Sequence, residues 1–124
     1  MAHELILIVE DNEKNRKLIR DLLQVKGYQT IESETAEEGL RLAEEKSPAL
    51  ILMDIQLAGM DGITAMKQLK ATPSTKAIPI IAITASAMTH NRETMLAQGF
   101  DGYQTKPLNL NEFLSDIERL IANC

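Results

Sequence analysis

Five side chains able to hold or move charge follow short apolar runs in this chain. Glu10 and Asp11 follow Leu5–Val9, Asp54 ends Leu50–Met53, Thr84 ends Ile78–Ile83, and Lys106 lies just past Phe100–Gln104. A carboxylate belongs at the edge of an apolar layer rather than inside it. Carboxylates crowded at one edge repel, and a proton or a cation is the cheapest remedy. Oxygen-only donors with no neighbouring His or Cys favour Mg²⁺ over zinc, and Mg²⁺ commonly completes its shell with phosphate oxygens. The chemistry to expect is phosphoryl transfer. The cation would neutralise the transferring group, Lys106 would hold another of its oxygens, and a carboxylate would attack phosphorus to give an acyl phosphate. Asp54, at the end of the central run, is the nucleophile by position.

Such a site needs elements that bring distant positions together. Leu5–Val9, Leu50–Asp54 and Ile78–Ile83 lack the alternation of half-exposed strands, so they read as strands buried on both faces. Tyr28–Ile31 is more polar and suits an edge, and Phe100–Gln104 is a short fifth strand. Helical spacing fills the intervals. A helix from Glu13 to Lys26, stopped by Gly27 and capped by Asp11 or Asn12, turns Leu18, Ile19, Leu22, Leu23 and Lys26 or Val25 inward. Ala36–Lys46 starts after Thr35, with Glu37 and Glu38 favourably placed in its first turn. Ile63–Lys70 is short, Met88–Gln98 points Met95 and Leu96 inward, and a last helix from Asn109 or Asn111 presents Phe113, Leu114, Ile117, Leu120 and Ile121. Five strand and helix pairs in strict alternation predict one α/β domain over residues 1–124. It is a doubly wound five-stranded parallel sheet in the order 2-1-3-4-5, of flavodoxin-like type. All strands then deliver their ends to one edge, so Glu10, Asp11, Asp54, Thr84 and Lys106 should meet.

Composition excludes several classes. With 124 residues, 44% hydrophobic and 25% charged, the chain fits one soluble domain, with no apolar run near the ~20 residues that span a membrane. No secretory signal is visible at the N-terminus, and Cys124 is the only cysteine, so a cytoplasmic address is expected. A net charge of -5 with no basic run argues against direct nucleic-acid binding. Met53, Met60, Met66, Met88 and Met95 read as core and loop packing, and His3 and His90 as solvated.

With these residues in place the chain resembles the receiver domains of two-component response regulators. The similarity rests on Val9–Asn12, Leu52–Gln56, Met60–Gly62, Ile83–Ala85 and Tyr103–Pro107, in the family's order and spacing. The resemblance implies that Asp54 accepts a phosphoryl group from a phosphohistidine on a histidine kinase or phosphotransfer protein. It implies Mg²⁺ held directly by Asp11 and Asp54, by the Gln56 backbone carbonyl, and by Glu10 through water, with Lys106 on a phosphoryl oxygen and a cis Lys106–Pro107 bond. Thr84 would then move toward the phosphoryl group and Tyr103 rotate inward. A downstream effector would read the change on the face of the fourth helix, fifth strand and fifth helix, and exposed positions such as Asn15 and Arg16 would help select the kinase. On this reading the chain is a switch that acts only on its own phosphorylation, not an enzyme. Ala58 departs from a frequent proline, and Ser86 with Gln56 bears on water access to the acyl phosphate.

Three other readings fit the same sequence. The chain could be a receiver excised from a hybrid kinase or a larger regulator. A Mg²⁺-dependent aspartyl-phosphate phosphatase of haloacid dehalogenase type wants a second Asp two residues after the nucleophile, where Gln56 stands. A degenerate receiver that only binds a partner would lack part of the site.

Overall fold

The computed structural model describes residues 4–57 and 59–122. Elements alternate without exception: β1 (Leu5–Val9), α1 (Glu13–Val25), β2 (Gln29–Ser33), α2 (Ala36–Lys46), β3 (Leu50–Asp54), α3 (Gly62–Ala71), β4 (Ile80–Thr84), α4 (Arg92–Gln98), β5 (Gly102–Thr105) and α5 (Leu110–Ala122). The sheet has the expected order β2-β1-β3-β4-β5 and every neighbouring pair is parallel. Among the described residues no helix is long and apolar enough to cross a membrane.

Strand alternation divides the core in two. Ile6, Ile8, Leu50, Leu52, Ile81 and Ile83 pack with Phe113 and Ile117 of α5 and Ile19 and Leu23 of α1. Leu7, Val9, Ile51, Met53, Ile80 and Ala82 face α2, α3 and Met95 of α4. Because successive side chains point to opposite faces, continuing each strand at period 2 puts Glu10, Asp54 and Lys106 on the α1/α5 side of the edge, and Thr84 on the other. Each buried side chain contributes about 1.5–3 kcal/mol, which fixes the register and with it the position of every strand end.

Caps set the helix boundaries. Asn12, Thr35, Asp61 and Asn91 accept from backbone N–H groups at the starts of α1 to α4, and Asn109 does the same for the N–H of Glu112 in α5. Several boundaries differ from the sequence expectation: β4 starts at Ile80 rather than Ile78, and β5 spans Gly102–Thr105 rather than Phe100–Gln104. β2 begins at Gln29 and runs on to Ser33, because its ladder with β1 extends over Leu5–Val9. α4 begins at Arg92, not Met88: His90 N–H donates to Ser86 O in one isolated turn, and Asn91 opens the helix by capping Thr94. Met88, with nothing to pack on, is 96% exposed.

Some residues expected inside are outside. Leu18, Val25 and Leu96 are exposed because the buried stripes of α1 and α4 are narrower than the apolar pattern, Ile19 and Leu23 in one and Met95 in the other. The reverse holds for Arg16, expected as an exposed selector. Its side chain is only 13% exposed, donating to the backbone carbonyl of Glu10 and to Glu32, which Arg20 also holds. Arg16 therefore braces β1 against β2. His3, Ala58 and Cys124 lie outside the described residues.

Candidate functional site

Asp54 ends β3 as the last of five buried residues, and its own exposure is 3%. Its two oxygens are held from different directions. Oδ1 accepts the backbone N–H of Gln56 at 2.9 Å, and Oδ2 lies 3.0 Å from Lys106 Nζ. The same ammonium sits 2.7 Å from Oε1 of Glu10, which is 2% exposed and whose Oε2 accepts the N–H of Asn12. Lys106 is aimed by β5, its own N–H donating to Thr84 O at 2.8 Å, and the Lys106–Pro107 bond is cis, as expected. Gly62 lets α3 start against this strand end: a Cβ there would stand 2.3 Å from the carbonyl oxygen of Asp54.

The electrostatics follow from burial. Glu10 is pushed from 4.5 up to about 7, first by burial and then by its hydrogen bond with Asp54, with Lys106 acting in the opposite direction. For Lys106, burial favours the neutral amine, yet hydrogen bonds to Glu10 and Asp54 outweigh it and the pKa rises. Crowded carboxylates sharing one cation are a high-energy arrangement that a hard dication relieves. Glu10, Asp11 and Asp54 each offer an oxygen within 4.8 Å of the others, with Asp11 exposed to solvent. This all-oxygen donor set, partly open to water, fits Mg²⁺.

Of the residues expected to meet, Glu10, Asp11, Asp54 and Lys106 form one cluster. Thr84 occupies the neighbouring strand end, fully buried, and its Oγ accepts from Ser86 N–H instead of contacting Asp54. Tyr103 lies inward, 5% exposed, with its hydroxyl donating to the carbonyl oxygen of His90 at 2.6 Å. Arg92 covers its ring at 5.3 Å from the centroid. His90, expected to be solvated, is half-buried and serves as that acceptor. Among the contacts that escaped the sequence are two at this edge: the Arg92 and Tyr103 stacking, and the side-chain Oε1 of Gln56, which accepts the N–H of Ala85 at 3.3 Å. Neither leaves a mark in hydropathy, since one depends on how the start of α4 lies over β5 and the other on how two loops approach.

A parallel sheet in this order with an acidic cluster and a lysine at its carboxyl edge defines a phosphoacceptor signalling module. The chain belongs to the response regulator receiver domain family, whose model matches residues 6–118. It is 42% identical over 118 residues to the polar-differentiation response regulator DivK of Brucella ovis, covering 95% of this chain and 96% of that one. Among solved structures it resembles the receiver domain of a sensor histidine kinase from Pseudomonas aeruginosa, with TM-score 0.89, 34% identity and coverage of 98% and 99% of the two chains. That protein has a magnesium ion coordinated in its active site cleft. The receiver domain of a histidine kinase from Syntrophus aciditrophicus matches with TM-score 0.88 and 30% identity over 97% of this chain and 91% of that one. As a receiver, the chain is a signalling switch of a two-component system that works with kinases or phosphotransfer proteins.

Proposed function

We infer that Asp54 is the phosphoacceptor. One oxygen of its carboxylate attacks the phosphorus of a phosphohistidine, the P–N bond breaks with its electron pair passing to the imidazole, which takes up a proton, and an acyl phosphate forms on Asp54. The observation that carries this reading is the contact of buried Asp54 with Lys106 at the end of the central strand. Glu10, Asp11, Asp54 and the Gln56 carbonyl would hold Mg²⁺, which supplies charge neutralisation at the phosphoryl oxygens. Lys106, 3.0 Å from Asp54 Oδ2, would hold a phosphoryl oxygen.

The phosphoryl group adds a charge approaching -2 beside Thr84, whose hydroxyl turns to meet it, and Tyr103 reports the change on the face of α4, β5 and α5. An effector docks there. A groove of about 270 Å³ beside Lys106, with Asn15, Leu18 and Pro107 in its walls, suits the helix that carries the donor histidine. The domain extends over 1–124, lies in the cytoplasm, binds neither nucleic acid nor membrane directly, and catalyses only its own phosphorylation and dephosphorylation. Placement on a histidine kinase is the second reading, favoured by the likeness to receiver domains of such kinases.

Intact-mass spectrometry after incubation with Mg²⁺ and a small phosphodonor tests this. The native chain should gain one phosphoryl group and Asp54→Asn none. An adduct of equal yield in the mutant sinks the assignment.

A further inference from the structure

The ladder between β3 and β4 ends in an irregular way. Ile55 N–H donates to Ile83 O at 2.9 Å, so in a regular parallel ladder the next bond runs from Ala85 N–H to the carbonyl of Ile55. That carbonyl instead accepts the N–H of Gly62 at 3.2 Å, because α3 begins directly over the strand end. Ala85 N–H is left without its ladder acceptor, and the side-chain Oε1 of Gln56 takes it at 3.3 Å. Gln56 thus spans two loops beside Asp54, with its backbone N–H on Asp54 Oδ1 and its side-chain amide on the first N–H after Thr84.

We propose that the Gln56 side chain is a latch that occupies the Ala85 N–H and must release it when Asp54 carries a phosphoryl group. The inference rests on the reading of Asp54 as phosphoacceptor. Ala85 N–H is a fixed donor at the site edge, and a phosphoryl oxygen is a far better acceptor than a neutral amide, since charge-assisted bonds are roughly twice as strong. The bond it replaces is long and exposed, so the latch opens readily. It still opposes the phosphorylated state by the worth of one neutral hydrogen bond. Gln56 acts here as a positioning residue, through the donor it withholds.

Beryllofluoride, which forms a non-covalent phosphoryl mimic on carboxylates, reads this directly. Its affinity in saturating Mg²⁺ is compared for the native chain, Gln56→Ala and Gln56→Met, and the Ala85 amide resonance is followed by NMR in each free protein. Met has nearly the same length but no acceptor, so it keeps the cover and removes the bond. Both variants should bind beryllofluoride about two- to fivefold tighter, the size of one neutral hydrogen bond, with the Ala85 amide shifted before ligand is added. Equal or weaker beryllofluoride binding by Gln56→Met overturns the latch while leaving the acceptor intact. Failure of the native chain to bind beryllofluoride defeats the acceptor reading itself, and the latch with it.

Discussion

Lys106 Nζ lies 3.0 Å from Oδ2 of Asp54, two residues separated by 52 positions in sequence and joined at one strand edge. The same ammonium holds Glu10 at 2.7 Å, so one cation compensates two carboxylates that are each at most 4% exposed. The arrangement is costly to disturb and responsive to charge.

Replacing Lys106 by Met removes that cation and leaves the carboxylates facing one another. Proton uptake by Glu10 limits the damage, and we expect a loss of about 1–3 kcal/mol, the range for a buried polar group deprived of its partner. Urea unfolding in Mg²⁺-free buffer at pH 7 measures it, and added Mg²⁺ should restore part of the loss.

Glu10 makes the domain pH-sensitive. Its folded pKa of about 7 lies above its ordinary 4.5, so the folded state holds an extra proton between those values. The associated stability is therefore present below about 4.5 and is lost as pH rises through 7. In chelator, unfolding free energy should decline between pH 5 and 7.5 by an amount on the order of 1–3 kcal/mol. Glu10→Gln should flatten this slope. Mg²⁺ competes with the proton, so its affinity should rise over the same interval.

Gly62→Ala places a methyl group against the Asp54 carbonyl, 2.3 Å from it before any relaxation. Overpacking of this kind costs about 1–3 kcal/mol, and because backbone must yield, the strand end and the carboxylate move with it. Both thermal stability and Mg²⁺ affinity should fall, whereas a substitution to Ala at exposed Met88 should change neither.

Tyr103→Phe deletes the bond to the His90 carbonyl and Arg92→Ala deletes the cation over the ring. Losses of about 0.5–1.5 and 0.5–1 kcal/mol are expected. Because both contacts act on one ring, the double mutant should lose less than the sum, which a double-mutant cycle by chemical denaturation detects.

The sheet, its order and the acidic cluster were legible because long apolar runs ending in charge have few physical interpretations. β3 is the plainest case: four apolar residues in a row read as a doubly covered strand, and the carboxylate that follows reads as its end. Helix edges and side-chain commitments were less legible. Leu18 and Leu96 follow the helical period yet face solvent, since the sheet covers only part of each apolar stripe. Arg16 reads as a surface cation until Glu32 on β2 is seen opposite it. The start of α4 depended on Asn91 as a cap, a signal present in the sequence but outweighed by the apolar spacing from Met88. The Gln56 contact arises from a missing ladder acceptor, which no local pattern encodes.

The most direct test of the account is chemical mapping of the phosphoryl group. After phosphorylation in Mg²⁺ by a phosphohistidine donor, borohydride reduction converts an aspartyl phosphate to homoserine, and peptide mass spectrometry reads the position. Homoserine should appear at position 54 alone, and not when Mg²⁺ is chelated. Homoserine at position 11, or phosphate stable to borohydride on another side chain, would contradict the assignment of Asp54.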